Sequence, residues 1–240
     1  MTRGQSAVVG VAVLVAATVV AVAALTASVG TVVTEHAAAA DSRRVAADLR
    51  TALHPARTTG PTTGRVAFAR GRLALQPRDV RVLNETGPVA TVHANALRFS
   101  TGRHTVTYLA GGVLTSATAR TTWDAPVAVR ADADSLVVGV PALRGSVSIA
   151  AGRTARGGGA ARWTLRSTVT HRRRRLGAGR YRIAIETTHT DAVSARLAAA
   201  GATATTVRAL DDDGVPSVVA AIPGRPTGTL LVHETTVSVS

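Results

Sequence analysis

Cysteine is absent from the 240 residues, so no disulfide, thiolate nucleophile or cysteine-ligated metal is available. Lysine is absent as well: all 28 basic residues are arginine, which removes the lysine that a Gly-x-x-x-x-Gly-Lys phosphate loop needs. Aromatic residues make up only 2% of the chain, too few for a platform that stacks single-stranded bases. Acidic residues are half as common as basic ones, 14 against 28, and the formal net charge is +14. Such a charge directs attention to anionic partners. The arginines are scattered more than bunched, so anionic lipid or an acidic surface polymer is a better expectation than nucleic acid. The same residue usage, rich in Ala, Val, Gly and Arg without Lys, is that of a genome rich in G and C, and part of the charge follows from codon bias.

What is present begins with an apolar run. Ala7 to Val33 is 27 residues without a charge, mostly Val and Ala with a few Leu, Gly, Thr and Ser. About 20 helical residues span the hydrocarbon core of a bilayer, so the run is long enough to cross it. It exceeds the 7–15 residues or so of a secretory signal core. Ala38-Ala39-Ala40 before Asp41 would nevertheless suit a signal peptidase, and cleavage there is the rival expectation.

The run is preceded by Met1-Thr2-Arg3-Gly4 and then Gln5-Ser6. A very short basic leader, a glycine and an uninterrupted apolar helix resemble the class III, prepilin-type signal of type IV pilins and related archaeal surface filaments. Arg3-Gly4-Gln5-Ser6-Ala7-Val8-Val9-Gly10 is particularly similar to the start of haloarchaeal pilin-like proteins. The resemblance covers about 35 residues. It implies that residues 1–4 are a leader and that a prepilin peptidase cuts between Gly4 and Gln5, with Arg3 as the preceding basic residue. It further implies other pilin-like subunits as partners. Bacterial pilins carry a Glu where this chain has Val9; the archaeal branch lacks it.

Small residues dominate the run, and in lipid, where apolar surface alone gives helices no preference for one another, small residues permit close packing. A helix over residues 5–54 is expected, crossing the membrane and continuing as an amphipathic stalk. From Glu35 to His54 the chain is Ala-rich, with Val45, Leu49 and Leu53 on one face and Pro55 as its stop. The N-terminus is expected in the cytoplasm and the C-terminal part outside. Arg and Lys counts do little to fix this orientation, but long domains translocate largely regardless of charge.

Residues 62–240 are expected to form an extracytoplasmic β-rich domain. Gly60-Pro61-Thr62-Thr63-Gly64 reads as the loop leading into it. Short alternating runs separated by Gly or Pro follow at 65–70, 72–76, 79–83, 89–92, 105–109, 113–123, 136–140, 146–150, 162–170, 181–187 and 229–240. This pattern predicts a mainly β protein, a β-sandwich or meander, behind the long N-terminal helix. One late short helix interrupts it: Thr190 or Asp191 caps, Val193 and Leu197 share a face, and Gly201 stops it. The glycine-rich stretch 152–159 reads as a loop and marks a subdivision near 151–161.

Three constellations carry candidate chemistry. Arg172-Arg173-Arg174-Arg175 is the densest charge and a candidate contact for an anionic ligand; its bland reading is the tip of a hairpin between 164–170 and 181–187. Asp211-Asp212-Asp213-Gly214 resembles part of a calcium loop, but the acids are adjacent and the closing Glu is missing, so a polar turn is the better reading and no metal is expected. The seven histidines show no His-Glu-x-x-His spacing and there is no Gly-x-Ser-x-Gly elbow, so no enzyme and no cofactor is expected. Glu186 would meet an aspartate only if folding brought them together. Phe68, Phe99, Tyr108, Trp123, Trp163 and Tyr181 read as core. The function expected is a structural pilin-like subunit of a surface filament with an adhesive role; the alternative is a membrane-anchored binding module that does not polymerise.

Overall fold

The computed structural model describes the backbone of residues 3–53, 59–117, 120–124, 128–132, 134–152 and 159–240. Two compact units are present, Met1–Ala40 and Asp41–Ser240. Helix α1 (Arg3–Ala52) makes up the described part of the first and continues into the second. In the first unit the large apolar side chains from Val11 to Val33 are exposed, and the helix is long and apolar enough to cross a membrane. Its hydroxyls return to the helix's own carbonyls: Thr18 to Leu14 (2.8 Å), Thr26 to Val22 (2.8 Å), Ser28 to Leu25 (2.8 Å) and Thr34 to Gly30 (3.0 Å). A hydroxyl satisfied in this way has no need of water, which hydrocarbon cannot supply.

The second unit holds the last turns of α1, sixteen described strands and one short helix. In chain order the strands open with β1 (Gly60–Phe68), β2 (Gly71–Gln76), β3 (Asp79–Leu83), β4 (Pro88–His93) and β5 (Ala96–Thr101). Next come β6 (His104–Leu109), β7 (Gly112–Ala117), β8 (Arg120–Asp124), β9 (Ala128–Ala131), β10 (Ser135–Gly145) and β11 (Ser148–Ala151). The chain closes with β12 (Ala161–Ala178), β13 (Arg182–Glu186), helix α2 (Thr190–Ala199), β14 (Ala204–Arg208), β15 (Ser217–Ala221) and β16 (Thr227–Val239).

Three sheets result, with orders β1-β12-β16-β10-β9, β11-β2-β5-β6-β7-β8 and β14-β15-β13-β3-β4. All described pairings are antiparallel except β10 with β16, and β5 to β8 form an up-and-down meander. The domain is therefore mainly β, as its alternating runs predict.

The first sheet walls two cores, one on each face. Val138, Leu230 and Arg174 are cross-strand partners and so share a face, as do Val140, Val232 and Arg172. The apolar members of these rows pack into a core with Val80, Ile183, Ile185, Val218 and the α2 residues Val193 and Leu197. One residue out of phase, Leu143, Thr235 and Val169 look the other way. That face covers a second core of Phe68, Phe99, Tyr108 and Leu165, into which α1 inserts Val45, Ala46, Leu49 and Leu53. The stripe expected of the stalk is thus its buried face.

Carboxylates fix α1 to the β1 edge. Asp41 accepts from the backbone N–H groups of Ala69 (2.9 Å) and Arg70 (3.1 Å), and Asp48 from that of Ala67 (3.1 Å). Burial pushes the Asp48 carboxyl up, opposed by the Ala67 hydrogen bond and the Arg44 charge. Gly64 lets the helix approach, since a Cβ there would lie 2.3 Å from the Cβ of Ala52.

Several expectations need correction. Residues 60–64 are not a loop: they pair with Val169–Leu165 as the start of β1, an edge strand, the place in a sheet where a proline is tolerated. The run 113–123 is two strands, β7 and β8, paired as a hairpin. β5, β9, β14 and β15 are strands that local alternation did not single out. The helix α2 is capped by His189 with no side-chain hydrogen bond, not by Thr190 or Asp191. Its end is as expected: Gly201 has φ +98°, with Gly201 N–H to Ala198 and Ala202 N–H to Leu197, a Schellman arrangement. Pro55, and residues 153–158 of the glycine-rich stretch, lie outside the described residues.

Candidate functional site

The arginine run lies inside a strand, not at a hairpin tip. Arg172, Arg173, Arg174 and Arg175 are in β12 and pair with Val232, Leu231, Leu230 and Thr229 of β16. The segment 181–187 supplies β13 instead, which pairs with β15 and β3. Strand alternation divides the four guanidinium groups between two faces. Arg173 and Arg175 share a face with His171, and Arg130 joins the Arg175 row through Thr229 and Val137. Arg172 and Arg174 emerge on the other face, where Arg172 Nε lies 3.2 Å from a Glu234 oxygen. All four are exposed.

β1 pairs with β12 only as far as Val169, so among the described residues the arginine half of β12 has β16 on one side and an open edge on the other. Charge on an open edge discourages pairing with another strand. It also roots arginine side chains about 7 Å apart along one face, a row that can meet several anions at once.

On the same face as Arg173, the Nδ1 atoms of His171 and His233 are 2.6 Å apart, with the rings edge-on. One ring must donate and the other accept, so both cannot be charged. Burial, and then the His171 charge, push His233 down. The pair offers two metal ligands, and among the described residues no third His or carboxylate joins them.

The acids come together elsewhere. Carboxylate oxygens of Asp79, Glu186 and Asp211 lie within 4.8 Å of one another. Arg81 donates to Asp79 Oδ2 (2.8 Å) and to Asp211, and its other terminal nitrogen lies 3.8 Å from Glu186 Oε2. Arg78 approaches Glu186 Oε1 at 3.8 Å, and His93 Nδ1 lies 2.7 Å from Asp79 Oδ1. The backbone N–H of Asp79 donates to Glu186 Oε2 (3.1 Å). Glu186 is 2% exposed, and its carboxyl is pushed up to about 7, first by burial and then by the Asp213 charge. Asp213 is held down, first by the Val215 N–H. A perturbed carboxyl often marks an active site. Here it is sealed from solvent and shares its surroundings with two arginines, which supply the positive charge a metal ion would bring. The arrangement ties the 211–213 turn to β13 and β3. Sequence reasoning found the turn and named Glu186 as a carboxylate that folding could bring to an aspartate, but not which aspartates it meets, because the residues that meet belong to three distant segments.

Arg3, Gly4 and Gln5, where the pilin resemblance places a processing site, lie in the first turn of α1. Phe68, Phe99, Tyr108 and Tyr181 are buried, while Trp123 and Trp163 pack partly buried against the two cores. Tyr181 is pinned by its hydroxyl, which donates to the carbonyls of Leu176 (2.8 Å) and Gly177 (2.9 Å).

No curated protein and no solved structure matches the chain significantly. A family model described as a family of unknown function, DUF7289, matches residues 3–238, from the first turn of α1 to the end of β16. The chain belongs to the DUF7289 family.

Proposed function

We propose that this chain is a type IV pilin-like subunit, made as a membrane protein with its N-terminus in the cytoplasm and its β domain outside. After a prepilin peptidase cuts between Gly4 and Gln5, the subunit leaves the bilayer and joins a surface filament through its apolar helix. The observation that carries the reading is α1 itself: apolar from Ala7 to Val33, then clamped into a β domain by Leu49, Leu53, Asp41 and Asp48. A filament subunit needs its shaft segment joined to the part it displays, and α1 carries both the apolar run and the docked turns. Ala17, Ala21, Ala24 and Ser28 fall on one helical face and leave room for a neighbouring helix.

The helical state of Ala38–Ala40 and the buried role of Asp41 favour retention over cleavage before Asp41. Four exposed arginines favour adhesion to acidic surface polymers as the displayed role. They equally suit the second reading, an anchored binding module that stays in lipid. The mature N-terminus of membrane-associated protein, read by intact mass and terminal peptide sequencing, separates the two. A start at Gln5 supports the filament subunit. A start at Met1 or Thr2 overturns it in favour of the anchor, and a start near Asp41 overturns both.

A further inference from the structure

The chain carries a second group of arginines beyond β12. Two residues beyond it the chain enters Arg180-Tyr181-Arg182, which lines a cleft of about 570 Å³. Arg225, between β15 and β16, lines the same cleft. Ala221, Ile222 and Pro223 give it an apolar lining. Against three guanidinium groups stands one carboxylate, Glu85, whose oxygen is 3.8 Å from Arg180 with both side chains about two-thirds exposed. Such a pair is loose and readily exchanged for another anion. Arg182 is steadied by donating to the Asn84 carbonyl (3.1 Å), and the cleft backbone by the Tyr181 hydroxyl and by Gly179 N–H to the Pro226 carbonyl (3.3 Å).

We infer that this cleft binds an acidic sugar unit of a polyuronate chain through Arg180, Arg182 and Arg225. An apolar lining suits the C–H face of a pyranose ring, and arginine forks match a carboxylate in two-point geometry. Nucleic acid fits less well: the one aromatic ring in the cleft, Tyr181, is buried and offers no face for a base to stack on. The inference concerns the β domain and holds whether or not the subunit polymerises.

The test uses the full-length chain in detergent micelles at 150 mM salt, titrated calorimetrically with a hexauronate, a diuronate, a neutral hexasaccharide and a deoxyoligonucleotide of equal charge. The hexauronate is expected to bind and the neutral sugar not to. R180A/R225A is expected to weaken hexauronate binding at least tenfold with the melting temperature unchanged, both side chains being exposed. R173A/R175A removes equal charge from the sheet face opposite the core that holds Tyr181 and Ile222, and is expected to leave the binding of both uronates as it was. Failure of the hexauronate to bind overturns the inference. So does unchanged affinity in a folded R180A/R225A variant, or oligonucleotide binding as tight as the hexauronate and equally sensitive to both variants, which would reduce the surface to bulk charge.

Discussion

Glu186 contacts both charge signs inside the domain, and its burial makes the protonated form the preferred one. A carboxyl whose pKa rises on folding, here to about 7 from the ordinary value of 4.5, contributes stability fully at pH below 4.5 and loses it as pH climbs through 7. Glu186→Gln copies the protonated shape, so its melting temperature relative to wild type is expected to be higher at pH 8 than at pH 5. A difference independent of pH would show that the carboxyl does not titrate in this window. Gly64 makes its point through space: a methyl group there would lie 2.3 Å from the Cβ of Ala52, far inside van der Waals contact. Gly64→Ala is expected to cost about 1–3 kcal/mol, the range for an overpacked contact, read by chemical denaturation. Neither role was legible in the sequence. Asp79, Glu186 and Asp211 are ordinary acids until three segments meet, and Gly64 looked like a turn residue because only the helix against it shows why a side chain is excluded.

At the scale of elements, legibility tracks how local the cause is. Val45, Leu49 and Leu53 repeat at the helical period, and that alone predicted the docked face. The Schellman end at Gly201 was similarly readable, being decided within six residues. β12 was misread because its last third carries charge on both faces, which no core-facing strand tolerates. It remains a strand there because β16, more than fifty residues later, pairs with it along thirteen registered positions while one side stays open to solvent. The helix clamp can be taken apart by type. Leu49→Ala is expected to destabilise by about 2–5 kcal/mol through the cavity it leaves. Asp41→Ala leaves two backbone donors without their acceptor and is expected to cost about 1–3 kcal/mol. Thermal and urea unfolding of both variants checks the ranking; an Asp41→Ala variant as stable as wild type would show that water replaces the carboxylate freely.

For the whole molecule, a helix long and apolar enough to cross a membrane and the mainly β character followed from sequence, whereas the three-sheet arrangement did not, since sheet membership is settled by pairings across the full chain. If α1 packs with copies of itself, enlarging Ala21 is expected to block assembly without affecting insertion. Ala21→Ile should fractionate with membranes as wild type does but yield no filaments by electron microscopy. Filaments of normal number would place the contact on another face. The sheet that walls two cores has its own consequence, one that amide hydrogen exchange would reveal. β16 is flanked by β12 and β10, β10 by β16 along its length and by β9 over Leu136–Gly139, and both contribute buried side chains to the two cores. They should exchange last and together, at the rate of opening of the entire domain, while β9 at one margin and the open end of β12 at the other trade their protons early. Two cores that share a wall lose their independence: neither can melt while the other stays whole.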